Sequence, residues 1–209
     1  MGNGLCYNVA MIKLIMPYFE TERLILRELK RSDARSILDY AQLPNVGPMA
    51  GWEPHKTIED SLEFINYAIK KRDFGQPGIF SIILKENYQM IGTIEIHSYK
   101  EFKGDMGFVL HPDYWNRGII TEAAKAIIIY GMEILELKRL TYCHFPHNVT
   151  SKRVCEKLGF KFEGILRNKY ILFDGTVLDD VTYSITNEDY TNGSITWIKE
   201  FKKDLFIDY

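Results

Sequence analysis

Cysteine is scarce and long apolar runs are missing, and each shortage removes a class of protein. Cys6, Cys143 and Cys155 are the three cysteines of a 209-residue chain. They cannot all pair, so they fit a reducing, cytoplasmic compartment better than a disulfide framework. The most apolar stretch, Ala123 to Leu137, is interrupted by Lys125, Glu133 and Glu136, so it is not a membrane span and no membrane partner is expected. The N-terminus lacks a charged region followed by an apolar core and a small-residue cleavage site, and Cys6 stands where a myristoylation signal after Met1-Gly2 needs Ser or Thr. A net charge of −2 leaves no basic footprint, so nucleic acid is not an expected partner. Also missing are a G-x-S-x-G nucleophile elbow, the GK[ST] of a nucleoside-triphosphate loop, internal repeats and low-complexity segments. Cys143, His144 and His147 crowd together without a second ligand pair, and strand alternation sends Cys143 and His144 to opposite faces, so no metal is expected.

What is present is 46% hydrophobic and 26% charged residues, enough for one globular domain with a sizeable core. Residues 1–17 lack a clear period and read as a lead-in. Leu24 and Leu26 alternate with Arg23 and Arg27 as a half-buried strand, and Ser32 is positioned to cap a short helix ending before Pro44. The Gly- and Pro-rich loop from Pro44 to His55 exposes Met49 and Trp52 and suits either a substrate-facing loop or an irregular connector. Thr57 and Asp60 form a capping-box pattern before a helix to about Arg72. Ile79–Leu84 and Met90–His97 read as a hairpin, and Met106–Leu110 continues the meander. The pattern Thr121 to Glu136 predicts an amphipathic helix with Glu122, Lys125, Glu133 and Glu136 on its polar face. Leu140–His144 is a strand, Thr150–Leu158 a helix ended by Gly159, and Phe162–Leu172 with Val177–Ile185 a hairpin around Asp174-Gly175. The last residues, 187–209, place Trp197, Ile198, Phe201 and Leu205 at helical spacing. That predicts an added helix packing on the domain or on a second subunit, as in a homodimer. Strands that alternate with helices yet include hairpins give a mixed α/β (α+β) fold with a mostly antiparallel twisted sheet flanked by helices.

The loop Trp115-Asn116-Arg117-Gly118-Ile119-Ile120-Thr121 joins a strand end to a helix start, where unpaired backbone N–H groups and the positive end of the helix dipole favour anions. Gly118 allows close backbone approach, Arg117 adds a fixed charge and Thr121 a hydroxyl, a set suited to phosphate. YWNRGIITEA resembles the coenzyme-A pyrophosphate loop of the GCN5-related N-acetyltransferases. HNVTSKRVCEKLGFKFEG, His147 to Gly164, resembles that family's later helix and strand. With TERLILREL at Thr21 to Leu29, these motifs most resemble the branch of ribosomal-protein N-terminal acetyltransferases, over about residues 18–186. Trp115 replaces the usual Gln or Arg, and Ile120 the usual second small residue. The resemblance implies acetyl-CoA as co-substrate, bound by Asn116 to Thr121, and transfer by direct attack in a ternary complex onto a primary amine. That amine is a protein N-terminal α-amine, or alternatively a polyamine or antibiotic amine. A further alternative is a non-catalytic acyl-CoA-binding module.

Acetyl transfer from a thioester to an amine requires alignment, donors for an oxyanion, and proton handling for amine and thiolate. By resemblance, Phe108, Val109 and Leu110 lie where a strand splays from its neighbour and offers backbone to pantetheine and an N–H to the thioester oxygen. Glu95 shares a strand face with Thr93 and His97. Two readings of it stay open: a base for the ammonium proton, with His97 as runner-up, or part of a solvent-facing polar stripe on an edge strand. Asn148 matches the family's pantetheine-contacting Asn and also reads as a helix cap before Ser151. Cys155 stands where many members carry a thiolate-protonating Tyr, and Ser151 is the candidate proton relay in its place. Tyr114, Tyr170, Asp174 and the Pro44–His55 loop are candidate acceptor walls.

Overall fold

Nine strands pair into one sheet in the order β7-β8-β6-β5-β4-β3-β2-β1-β9 among the described residues. A computed structural model of the chain describes residues 16–209, so most of the expected lead-in, with Cys6, lies outside the described residues. In chain order the elements are β1 (Tyr18–Glu20), β2 (Leu24–Glu28), α1 (Ala34–Ala41), α2 (Gly47–Ala50), α3 (Ile58–Asp73), β3 (Ile79–Leu84), β4 (Met90–Lys100) and β5 (Lys103–Leu110). They continue with α4 (Ile119–Ile129), β6 (Arg139–His144), α5 (Val149–Leu158), β7 (Lys161–Ile171), β8 (Val177–Thr186), α6 (Asn187–Thr191), α7 (Ile198–Phe201) and β9 (Phe206–Asp208). Every neighbouring pair is antiparallel except β5 with β6. The mixed, mostly antiparallel sheet read from the sequence is the one observed.

The sheet separates two cores. Ile91, Ile94 and Ile96 of β4 point to the side covered by α4 and α5, while Ile79 and Ile83 of β3 meet Ile37 and Tyr40 of α1 and Ile65 of α3 on the other. The alternation of isoleucine with Thr93, Glu95 and His97 is therefore real, but β4 is a central strand and Thr93 is buried. The edge-strand reading of Glu95 fails for that reason.

Local signals held where they were chemically complete. The Asp60 carboxylate accepts from the Thr57 N–H, closing the capping box of α3. Ser32 is not the cap of α1. It sits in a 3-10 turn, Arg31–Asp33, and Asp33 takes the cap position, its carboxylate accepting from the Lys30 N–H and, through two bonds, from Arg27. Helix α4 begins two residues earlier than expected and passes at Tyr130–Ile134 into a π-helical turn. Its expected polar face is not polar throughout, because Glu122 is buried. The Glu122 carboxylate accepts from the Thr21 hydroxyl and from the backbone and side chain of Arg23, which ties the head of α4 to the turn between β1 and β2. Lys125 lies over the rings of Trp197 and Phe201, 5.3 Å from each. The C-terminal segment thus covers α4 at Lys125, while Glu133 and Glu136 of the expected polar face stay exposed. That segment is not one helix: it holds two short helices and then β9, which pairs with β1 at the sheet edge.

Candidate active site

The β5–β6 pairing runs from Lys103 opposite Arg139 to Met106 opposite Tyr142 and stops. Beyond it β5 stays with β4 as far as Leu110, and β6 stays with β8 as far as His144. The two strands therefore open a V, and a cleft of about 550 Å³ occupies it. The His111 N–H donates to the Ile91 carbonyl at 2.8 Å. By ladder alternation Val109 also spends its backbone on β4, while Phe108 and Leu110 turn theirs toward the gap. The Leu110 carbonyl is already taken by the Trp115 indole N–H at 2.8 Å. Of the three residues named from the resemblance, Phe108 offers both backbone groups to the cleft, Leu110 its N–H alone, and Val109 only a side chain.

The phosphate-suited loop closes one end of the cleft. Asn116, Gly118, Ile119, Ile120 and Thr121 all line it. Asn116 and Gly118 adopt left-handed backbone, with φ of 59° and 74°. A Cβ on Gly118 would meet nothing nearer than Arg23 at 3.6 Å, so the backbone angle, not crowding, asks for glycine there. Gly118 caps α4 without a side-chain bond, leaving first-turn N–H groups without an intrahelical partner. Ile119 and Ile120 bury their side chains in the core, so the bulky residue at 120 points inward while its backbone stays at the loop. Arg117 is not on the cleft wall: its guanidinium lies 5.3 Å over the Tyr114 ring, and its carbonyl accepts from Arg23. The cations that do line the cleft are Arg153 and Lys157, one turn apart on α5. Sequence reasoning passed over them, because their helical spacing is an ordinary surface pattern until the cleft shows which face of α5 it borders.

Asn148 lines the cleft and caps α5, its Oδ1 accepting from the Ser151 N–H at 3.1 Å. The cap reading of Asn148 is the one observed, at a position that also borders the cleft. Ser151 is buried on the cleft wall, which Tyr142 also lines. Tyr142, the last β6 residue paired to β5, stacks on Phe108 with ring centroids 5.1 Å apart and planes 8° from parallel. Burial pushes the Tyr142 phenol far up, so it keeps its proton. Cys155 is buried behind them, and burial likewise pushes its thiol up, as for a buried structural cysteine. Cys143 and His144 do face opposite ways: Cys143 lies 3.7 Å from the Thr182 hydroxyl, and His144 stacks on Tyr183.

On the other side of Phe108 and Val109 is a second cavity of about 340 Å³, and Glu95 and Thr93 line it. The Glu95 carboxylate pairs with the Lys71 ammonium of α3 at 3.3 Å. His97, two residues on, lines the larger cleft instead and is hydrogen-bonded with Ser98. Gly107 lies opposite Glu95, and a Cβ there would come within 3.2 Å of the His97 ring, so glycine keeps open the space between the two candidate bases. Among the expected acceptor walls, Met49 and Tyr170 line the cleft, and the Tyr170 hydroxyl donates to the Gly51 carbonyl at 3.0 Å, latching the β7–β8 hairpin to the end of α2. Tyr114 lines it too, its hydroxyl donating to Gln89. Asp174 is exposed at the hairpin tip, where its carboxylate accepts from the Thr176 N–H and serves the turn.

Residues 23–161 match the family model described as the acetyltransferase (GNAT) domain. The N-acetyltransferase YoaA of Bacillus subtilis is 31% identical over 175 residues, covering 82% of this chain and 97% of that protein. The ribosomal protein uS5-alanine N-acetyltransferase of Escherichia coli is 26% identical over 186 residues, covering 83% of this chain and 92% of its own length. A crystal structure of a GNAT-family acetyltransferase from Bacillus anthracis superposes with a TM-score of 0.73 at 30% identity, covering 82% of this chain and 99% of that one. No helix among the described residues is long and apolar enough to cross a membrane. Matched over most of its length and carrying the splayed strands and the loop that heads α4, the chain belongs to the GNAT family and is an acetyl-CoA-dependent N-acetyltransferase.

Proposed function

We propose that the acceptor is the α-amine of a peptide N-terminus, acetylated in the cytoplasm by direct attack on acetyl-CoA within a ternary complex. The observation that carries this reading is the meeting of two cavities at Phe108 and Val109, one lined by the anion loop and α5, the other by Glu95. The loop Asn116–Thr121, with Arg153 and Lys157, holds the phosphates, Asn148 the pantetheine arm, and the Phe108 N–H the thioester oxygen as charge grows on it. Glu95 takes the proton of the acceptor ammonium, directly or through water. The freed amine attacks the carbonyl carbon, a C–N bond forms and the C–S bond breaks. As the tetrahedral adduct collapses, the second proton of the amine passes by way of Ser151 to the departing sulfur, leaving the amide and the free thiol.

An α-amine suits this apparatus better than a lysine side chain. Its unperturbed pKa is about 7.7 to 8.0 against about 10.4, so a single carboxylate has less to remove near neutrality. The experiment is a free-thiol assay with acetyl-CoA, comparing a peptide with a free N-terminus and no lysine against the same peptide N-terminally blocked and carrying one lysine. Faster turnover of the free N-terminus by about 10-fold or more is expected; a preference for the lysine peptide overturns the α-amine assignment.

A further inference from the structure

The 340 Å³ cavity beside Glu95 is walled by Ile37, Tyr40, Trp52 and Phe64, with His55 among them. The Trp52 and His55 rings are 5.3 Å apart and the His55 and Phe64 rings 6.4 Å. His55 is a neutral wall: burial lowers its pKa, and its Nδ1 is hydrogen-bonded with the Ser61 hydroxyl at 2.9 Å. Two acids, Glu95 and Glu53, touch the cavity. Each is already paired with a lysine, Glu95 with Lys71 at 3.3 Å and Glu53 with Lys56 at 2.7 Å. Among the described residues lining the cavity, neither carboxylate is left without a lysine to hold a second or third cationic centre. The volume is at the low end of the roughly 300–1,000 Å³ of small-molecule sites, enough for one large side chain. The cavity shares Ala50, Phe108 and Val109 with the acyl-transfer cleft as lining, so a group seated in it lies directly beside that cleft.

We infer that this cavity seats one large apolar or aromatic side chain borne on the carbon next to the reacting amine, so the acceptor is a bulky N-terminal residue rather than glycine, alanine or a polyamine. This rests on the acetyl-transfer reading and names its substrate class. Seating the substituent places the amine at the Glu95 end, so the side chain contributes to positioning as well as affinity, and discrimination shows in kcat/KM.

The test is the free-thiol assay with acetyl-CoA and phenylalaninamide, leucinamide, alaninamide, glycinamide and spermidine as acceptors. Phenylalaninamide and leucinamide are expected to exceed glycinamide by about 10- to 100-fold in kcat/KM, the range an apolar pocket gives for a few methylenes, with spermidine lowest. Trp52→Ala, which removes one wall, is expected to lower kcat/KM for phenylalaninamide about 10-fold and to narrow its lead over glycinamide; a rise in Tm with acetyl-CoA shows that this variant is folded. If the variant does not fold, the wild-type ranking decides alone. A flat ranking, or spermidine as the best acceptor, overturns the proposal and leaves acetyl transfer standing. No thiol release with any amine, phenylalaninamide included, despite a Tm rise with acetyl-CoA, overturns both.

Discussion

Replacing Glu95 by Gln removes a base while keeping size and a hydrogen-bond acceptor for Lys71. The magnitude of the loss follows from the site. An α-amine of pKa about 7.7 to 8.0 is roughly one-tenth to one-sixth neutral at pH 7. If Glu95 did no more than take that proton before attack, its loss would cost about 6- to 10-fold. If the carboxylate also receives the proton as the C–N bond forms, the loss rises into the range of general acid–base catalysis, and about 10- to 1,000-fold in kcat is expected at pH 7. Stability does not confuse the result. The Lys71–Glu95 pair is partly solvent-accessible, 18% and 24% exposed, and such pairs contribute about 0–1 kcal/mol, a Tm change of at most about 4 °C for a chain of this size. The assay is thiol release under saturating acetyl-CoA from pH 7 to 9.5. The defect should shrink toward high pH, where the amine arrives already deprotonated. Full activity of the variant at pH 7, or equal impairment across the whole range, removes Glu95 from the mechanism and leaves His97, which faces the larger cleft, or ordered water.

Asn148→Ala removes the Oδ1 cap on Ser151 N–H, so a loss of about 1 kcal/mol is expected, read as a Tm lower by about 2–4 °C; acetyl-CoA affinity, measured by calorimetry, should fall with it. Cys155→Ala should leave turnover within a few fold, because a buried thiol with a raised pKa has no proton to give readily; a loss beyond about 10-fold in the thiol assay refutes the packing role. Burial alone would raise the Asp33 carboxyl, but Arg27, the Lys30 N–H and the Ser81 hydroxyl hold it below its ordinary value. A carboxylate depressed in the folded state stabilises above its unfolded pKa of about 3.9, and that contribution is lost as pH falls through the folded value. Asp33→Asn should therefore be less stable than wild type at pH 7, and the Tm gap should narrow below about pH 4; a gap constant from pH 7 to 3 refutes it.

The sequence by itself determined what is written in local chemistry. Alternation placed Thr93, Glu95 and His97 opposite the isoleucines of β4, Thr57 and Asp60 announced α3, and Asp174-Gly175 the last hairpin. Each of these depends on residues within a few positions of one another, so period and turn chemistry suffice. Tertiary structure decided everything that depends on which surfaces meet. It made β4 central, buried Glu122 against Thr21 and Arg23, and drew the C-terminal segment over α4 and onto β1. It turned Arg117 onto Tyr114 and gave the cleft Arg153 and Lys157 instead. The pairing that ends at Met106 and Tyr142, and the cavity that Trp52, His55 and Phe64 share with Glu95, have no local signature. They arise from strand register and from helices packing across separations of tens of residues, and a period read along one segment carries no information about its partner.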